Sequence, residues 1–126
     1  NTGSPHYIKQ VSDISNYDVF SEGKNIRYND RYNQKGINVN FVEWNGDELF
    51  VRTYERGVEN ETFSCGTGVT AAAMAMSNDT TGLQETKIRT LGGSLLIKFN
   101  KLDAQHYRDV WLCGPASFVY EGKIII

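Results

Sequence analysis

Alternation of apolar and polar positions dominates this chain. Residues 37–43 (Ile-Asn-Val-Asn-Phe-Val-Glu) and 48–54 (Glu-Leu-Phe-Val-Arg-Thr-Tyr) each carry a strand pattern, and Asn45-Gly46 between them is a strong turn signal. Together they predict a hairpin. A second hairpin is expected from 86–90 through Gly92-Gly93 into 94–99. Residues 6–11 follow Pro5 and are strand-compatible, and two further strands, 108–112 and 117–120, flank Cys113-Gly114-Pro115-Ala116. Residues 18–26 suit a short surface helix, with Gly23 arguing against a long one.

One segment departs from this pattern. Residues 67–76 (Thr-Gly-Val-Thr-Ala-Ala-Ala-Met-Ala-Met) are rich in good helix formers and bear no charge on any face. A helix that is apolar all round is a buried helix. Its small alanines let strands approach closely. The expected architecture is therefore α+β, an antiparallel or mixed sheet curled as a barrel around one central buried helix.

The 126 residues suffice for one domain, and neither repeats nor low-complexity stretches divide them. Thirteen basic and 15 acidic residues leave a net charge of −2, which gives no electrostatic footprint for nucleic acid or an anionic membrane. No apolar run approaches the roughly 20 residues that span a bilayer. Two cysteines make no disulfide framework and point to a reducing compartment, the cytoplasm. The opening Asn1-Thr2-Gly3-Ser4-Pro5-His6 has neither initiator Met nor leader pattern, as expected of a piece of a longer chain.

Candidate chemistry centres on Ser64-Cys65-Gly66-Thr67-Gly68, just before the apolar helix. The first amides of a helix lack internal partners and carry about half a positive charge. Lowering a thiol from about 8.5 to about 7 takes about 2 kcal/mol, the most that a partly buried helix terminus supplies. The amides of Gly66 and Thr67 suit a carboxylate. The plainer reading is a small buried, inert cysteine.

Upstream, Glu55-Arg56 offers an acceptor and a fork-shaped donor for a zwitterion. Adjacent strand residues point to opposite faces, so a surface pair is the alternative. His6 needs a partner to act as a base. His106 lies in a polar turn and reads as solvated; Cys113 reads as structural. Two cysteines and two histidines at these spacings make no zinc site, and Gly66-Thr67-Gly68 lacks the lysine of a P-loop.

Taken in order, Thr2-Gly3-Ser4-Pro5-His6, Gly36-Ile37-Asn38-Val39-Asn40-Phe41-Val42, Arg52-Thr53-Tyr54-Glu55-Arg56-Gly57, Ser64-Cys65-Gly66-Thr67-Gly68, Gly92-Gly93 with Leu95, and Gly114-Pro115-Ala116 with Tyr120-Glu121-Gly122 resemble the C-terminal half of the diaminopimelate epimerase family. Cys-Gly-Thr-Gly alone also occurs in the related proline racemases, and the Tyr-Glu-Arg-Gly stretch separates the two. The resemblance implies a two-domain fold, each domain a barrel-like sheet around a helix, with the active site in the cleft between. It implies interconversion of LL- and meso-diaminopimelate without pyridoxal phosphate or metal, using one cysteine from each domain.

By that resemblance, residues 1–126 are the C-terminal domain and Cys65 is its member of the pair. The Gly66 and Thr67 amides would hold the reacting carboxylate, Glu55 would support Cys65 and help bind substrate, and His6 would assist the other domain's cysteine. Ser4, Asn38 and Arg56 would recognise the distal amino-acid end. Ser4 stands where many members have Asn; serine keeps a hydrogen-bond donor and acceptor but is shorter. The partners implied are the substrate and the N-terminal domain absent from this chain, and a homodimer is compatible. The chain alone is expected to be inactive. Competing readings are a proline-racemase-like or phenazine-pathway-like isomerase of the same fold, and a non-catalytic β domain whose helix terminus binds carboxylates.

Overall fold

The computed structural model describes residues 2–126. The central hairpin joins β2 (Asn38–Asn45) to β3 (Glu48–Glu55). Its pairing closes at Asn45 and Glu48, so the two-residue turn is Gly46-Asp47, one position later than expected. Gly46 takes φ 64°, which a glycine adopts without strain. The second hairpin is longer than predicted, β5 (Gly82–Thr90) pairing β6 (Gly93–Lys101). With β1 (His6–Gln10), the short β4 (Asn60–Thr62) and β7 (Tyr107–Cys113) they form one mixed seven-stranded sheet. Its order is β1-β2-β3-β5-β6-β7, with β4 beside β3.

Two junctions are parallel, β1 with β2 and β3 with β5. A parallel pair needs a long crossover, and each has a helix: α1 (Val19–Arg27) for the first, α2 (Gly66–Ala75) for the second. The Asp18 side chain caps α1, accepting from Ser21 N–H at 3.1 Å. Gly23 lies inside this helix and is buried, because α1 presses onto Tyr54 there: any Cβ would overlap that side chain. The glycine serves a close approach and does not end the helix.

Strand alternation now separates two cores. Val39, Phe41 and Tyr54 pack with Ile14, Val19 and Ile37 in the core beneath α1. Val42, Leu49, Val51, Ile88, Ile97 and Phe99 pack around Val69, Ala72 and Ala73 of α2. Asn38 and Asn40, polar in sequence, are nevertheless buried. β2 is thus covered on both faces.

Arg52 ties the α1 side together. Its fork donates to both Glu61 carboxylate oxygens at 2.7 Å, and Nη1 donates to the carbonyls of Ile14 (2.7 Å) and Tyr17 (3.0 Å). Both side chains of this pair are mostly buried. Arg52→Met is expected to cost about 2 kcal/mol, since it strands the Glu61 charge and two carbonyls. A urea midpoint equal to the parent's would contradict this role.

Two expectations need correction. Residues 114–126 form no regular structure and 117–120 are exposed, so the strand expected at 117–120 is absent: the segment pairs with neither end strand of the sheet. The sheet is also open. Along its pairing path β1 and β7 are the end strands, and no pairing joins them among the described residues. Helix α2 packs against β1, β2, β3, β5 and β6, so the curl around it is present. Its flank at Thr67, Ala71, Met74 and Ala75 faces a cavity of about 830 Å³, bordered by His6 and Ile8 of β1 and by Val110 and Leu112 of β7. No helix among the described residues is long and apolar enough to cross a membrane.

Candidate active site

Cys65 is the N-cap of α2, with extended backbone (φ −130°, ψ 108°) and no side-chain capping bond. The first backbone bond of the helix runs from Val69 N–H to the Cys65 carbonyl at 2.9 Å. The amides of Gly66, Thr67 and Gly68 therefore stand outside the helical ladder, at the positive end of its dipole. The thiol is half-buried, neither sealed in the core nor fully in solvent. Gly68 is obligatory behind it. A Cβ there would come inside 3.0 Å of Asn40 Oδ1 and sit 3.3 Å from both Cys65 Cβ and Sγ.

Around this terminus the structure gathers Ser4, His6, Asn38, Asn40 and Thr67. Thr67 Oγ1 lies 3.7 Å from Cys65 Sγ and 2.9 Å from His6 Nε2. Ser4 Oγ is 3.0 Å from the same His6 nitrogen and 3.4 Å from Thr67 Oγ1. On its other side the His6 ring meets Asn40 Nδ2, 3.1 Å from Nδ1. The Thr2 hydroxyl donates to the Thr67 carbonyl at 2.7 Å, tying the segment before β1 to the helix start. His6 and Cys65 thus share Thr67 as a common neighbour.

Asn38 acts as a clamp in this arrangement. Its Nδ2 donates to Ser4 Oγ (3.0 Å) and to the Pro5 carbonyl (3.1 Å), while its Oδ1 accepts from Arg56 N–H (2.9 Å). Arg56 sends its guanidinium to the Lys35 carbonyl at 3.0 Å, and the Glu55 carboxylate accepts from the Thr62 hydroxyl at 2.9 Å. Glu55 and Arg56 are therefore held by separate partners at the end of β3, and are not paired with each other as a surface ion pair. His106 is exposed and bonded to Asp103, as its polar turn suggested.

Sequence reasoning missed Asn40, Thr53 and Thr62 as parts of this site. The signal was the Asn-Val-Asn alternation itself, which puts polar side chains on the face of β2 opposite the α1 core. Among the described residues no three His, Cys, Asp or Glu side chains gather to hold a metal.

Burial pushes the His6 pKa below its ordinary 6.5, and the Arg56 guanidinium adds to the effect. The unfolded chain then binds the His6 proton at higher pH than the folded one. Stability from this group is unaffected well above pH 6.5 and falls as pH drops below 6.5 toward the folded value. His6→Gln is expected to flatten the decline in urea midpoint between pH 7.5 and about 5. Identical pH slopes in variant and parent would refute the assignment.

Fold and site together define an α+β domain that presents a half-buried cysteine at the start of a sheet-wrapped helix, beside a hydrogen-bonded cluster of Ser4, His6, Asn40 and Thr67. The chain belongs to the diaminopimelate epimerase family, whose sequence model matches residues 1–119. Curated diaminopimelate epimerases resemble it closely: that of Flavobacterium psychrophilum is 47% identical over 98% of this chain and 49% of the relative. The Chlorobaculum tepidum protein is 42% identical over 99% of this chain and 48% of the relative, and the Aquifex aeolicus protein 40% over 98% and 44%. The chain spans about half the length of these relatives.

Proposed function

We propose that this chain is the C-terminal domain of a two-domain, cofactor-independent epimerase that interconverts LL- and meso-diaminopimelate, and that Cys65 is one of its two proton-transfer thiols. The observation that carries the proposal is the placement of Cys65 Sγ at the free amino end of α2, beside the Thr67 hydroxyl. Removing the α-proton builds negative charge on the adjacent carboxylate, and amides aimed at that group stabilise it. Inversion also needs a proton to leave one face and arrive on the other. One thiolate takes the α-proton as the C–H bond breaks, and a thiol on the opposite side delivers its proton to the carbanion. This chain supplies one such group.

In this reading Gly66 and Thr67 amides hold the reacting carboxylate, and Glu55 supports Cys65 and helps bind substrate. Arg56, Asn38 and Ser4 recognise the distal amino-acid end. The bonds of Asn38 make its share partly architectural, holding Ser4 and Arg56 at one spacing. His6 assists the thiol of the other domain from its position beside Thr67.

The test is α-deuteration in heavy water by the full polypeptide carrying this chain, with LL-diaminopimelate, meso-diaminopimelate and proline offered separately. Both diaminopimelate stereoisomers should take up deuterium and interconvert, and proline should not. Exchange confined to proline would replace this reading with the proline-racemase-like one. Ligand binding without exchange would favour a carboxylate-binding domain.

A further inference from the structure

The bonds that end on Cys65 begin one layer deeper, at two buried polar residues. Asn40 of β2 and Thr53 of β3 face each other across the hairpin and are both buried, at 0% and 2% exposure. The Thr53 hydroxyl donates to Asn40 Oδ1 at 2.9 Å. Asn40 Nδ2 lies 3.3 Å from the Tyr7 carbonyl, which only accepts, so the nitrogen end of the amide is fixed as the end that faces Tyr7 and His6. The opposite assignment would set two carbonyl oxygens against each other.

That orientation dictates the state of the His6 ring. An amide N–H donates to Nδ1 at 3.1 Å, so Nδ1 offers its lone pair and the ring proton sits on Nε2. Nε2–H then faces two hydroxyl oxygens, Thr67 Oγ1 at 2.9 Å and Ser4 Oγ at 3.0 Å, and the shorter contact is the one to Thr67. The Thr67 oxygen, already accepting, has its own hydrogen free for Cys65 Sγ at 3.7 Å.

We propose that Asn40 is a positioning residue for Cys65: by holding His6 as the Nε2–H tautomer, it aims the Thr67 hydroxyl hydrogen at the Cys65 sulfur. The proposal rests on the reading of Cys65 as a proton-transfer thiol but makes its own prediction. The Thr53–Asn40–His6–Thr67 chain runs in one direction, every hydroxyl and N–H donating toward the next acceptor or toward sulfur. It gives the thiolate a neutral donor that is set before substrate arrives. Reversing the ring would draw the Thr67 hydrogen to Nε2 and leave the sulfur without it.

The experiment is nitrogen-15 NMR of the histidine ring in the full polypeptide, with the His6 signals identified by their loss in His6→Gln. Above the ring's titration, the parent should show the Nε2–H tautomer. Asn40→Asp, whose carboxylate only accepts, should convert the ring to Nδ1–H. Thr67→Val, which introduces no charge, should slow alkylation of Cys65 near neutral pH about fivefold, the effect of one lost hydrogen bond, and Thr67→Ser should restore it. A parent ring in the Nδ1–H form, or unchanged alkylation in Thr67→Val, would overturn the proposal. The tautomer measurement needs no variant beyond the assignment control, so misfolding of Asn40→Asp does not remove it. Failure of the epimerase reading would appear separately, as absent α-deuteration with the tautomer intact.

Discussion

Cys65→Ser is expected to slow inversion of diaminopimelate about 10³-fold or more in both directions, the scale of one lost acid–base group. Serine keeps the shape of the side chain but not its acidity, and a helix terminus worth at most about 2 kcal/mol cannot ionise an alcohol at neutral pH. The neighbouring geometry survives, because Cys65 makes no side-chain cap and the helix starts from its backbone carbonyl. Folding and substrate binding should therefore change little.

The stereochemical residue of activity is the sharper readout. On the proposed two-thiol mechanism, loss of Cys65 would leave a thiol of the other domain facing one side of the α-carbon. One stereoisomer should keep exchanging its α-proton for deuterium without inverting, and the other should stop exchanging. The silent stereoisomer identifies the one that Cys65 deprotonates. Inversion at the parent rate in Cys65→Ser would remove Cys65 from the chemistry and leave it a structural cap. Loss of substrate binding with it would point instead to the carboxylate-holding role of the helix terminus.

Most of the fold was legible because period-two alternation and turn residues act locally. The hairpins at Gly46 and Gly93 and the uncharged helix from Gly66 follow from sequence neighbours alone. What was not legible depends on partners far along the chain. The three residues of β4 are set by pairing with β3, and the parallel junctions by where the crossovers land. The aromatic and β-branched residues of 117–120 suited a strand, yet pairing also needs a partner strand that its own sequence cannot specify.

The site shows the same division. Cys65 and the two glycines around Thr67 stand in one short motif and announce themselves. Asn40 does not: Asn-Val-Asn-Phe reads as a strand with one wet face, when α2 covers that face too. Burial turned its polar positions from solvent-facing filler into the frame of the site, each amide satisfied by named partners.

Gly68→Ala should be the most destabilising single substitution near the site, by about 2–3 kcal/mol. On an isolated helix the change would stabilise by about 1 kcal/mol, since alanine is the better helix former. Here the new methyl would overlap Asn40 Oδ1, an atom that cannot withdraw. Asn40 accepts from Thr53 on that side and donates to Tyr7 and His6 on the other, so moving it breaks several bonds at once. The methyl also reaches Cys65 Cβ and Sγ at 3.3 Å, pushing the thiol from its place beside Thr67. Gly66→Ala is the internal comparison, because its Cβ would meet only Leu112 Cδ2 at 3.1 Å, the end of a half-exposed side chain on β7. Urea denaturation of both variants should show a large loss for Gly68 and a small one for Gly66. Cys65 alkylation should change in the Gly68 variant even under conditions where it remains fully folded. Equal stability of the two variants would mean that α2 can lift off β2 at Asn40. The site would then be a yielding surface, and the fixed spacing between His6, Thr67 and Cys65 would need another source.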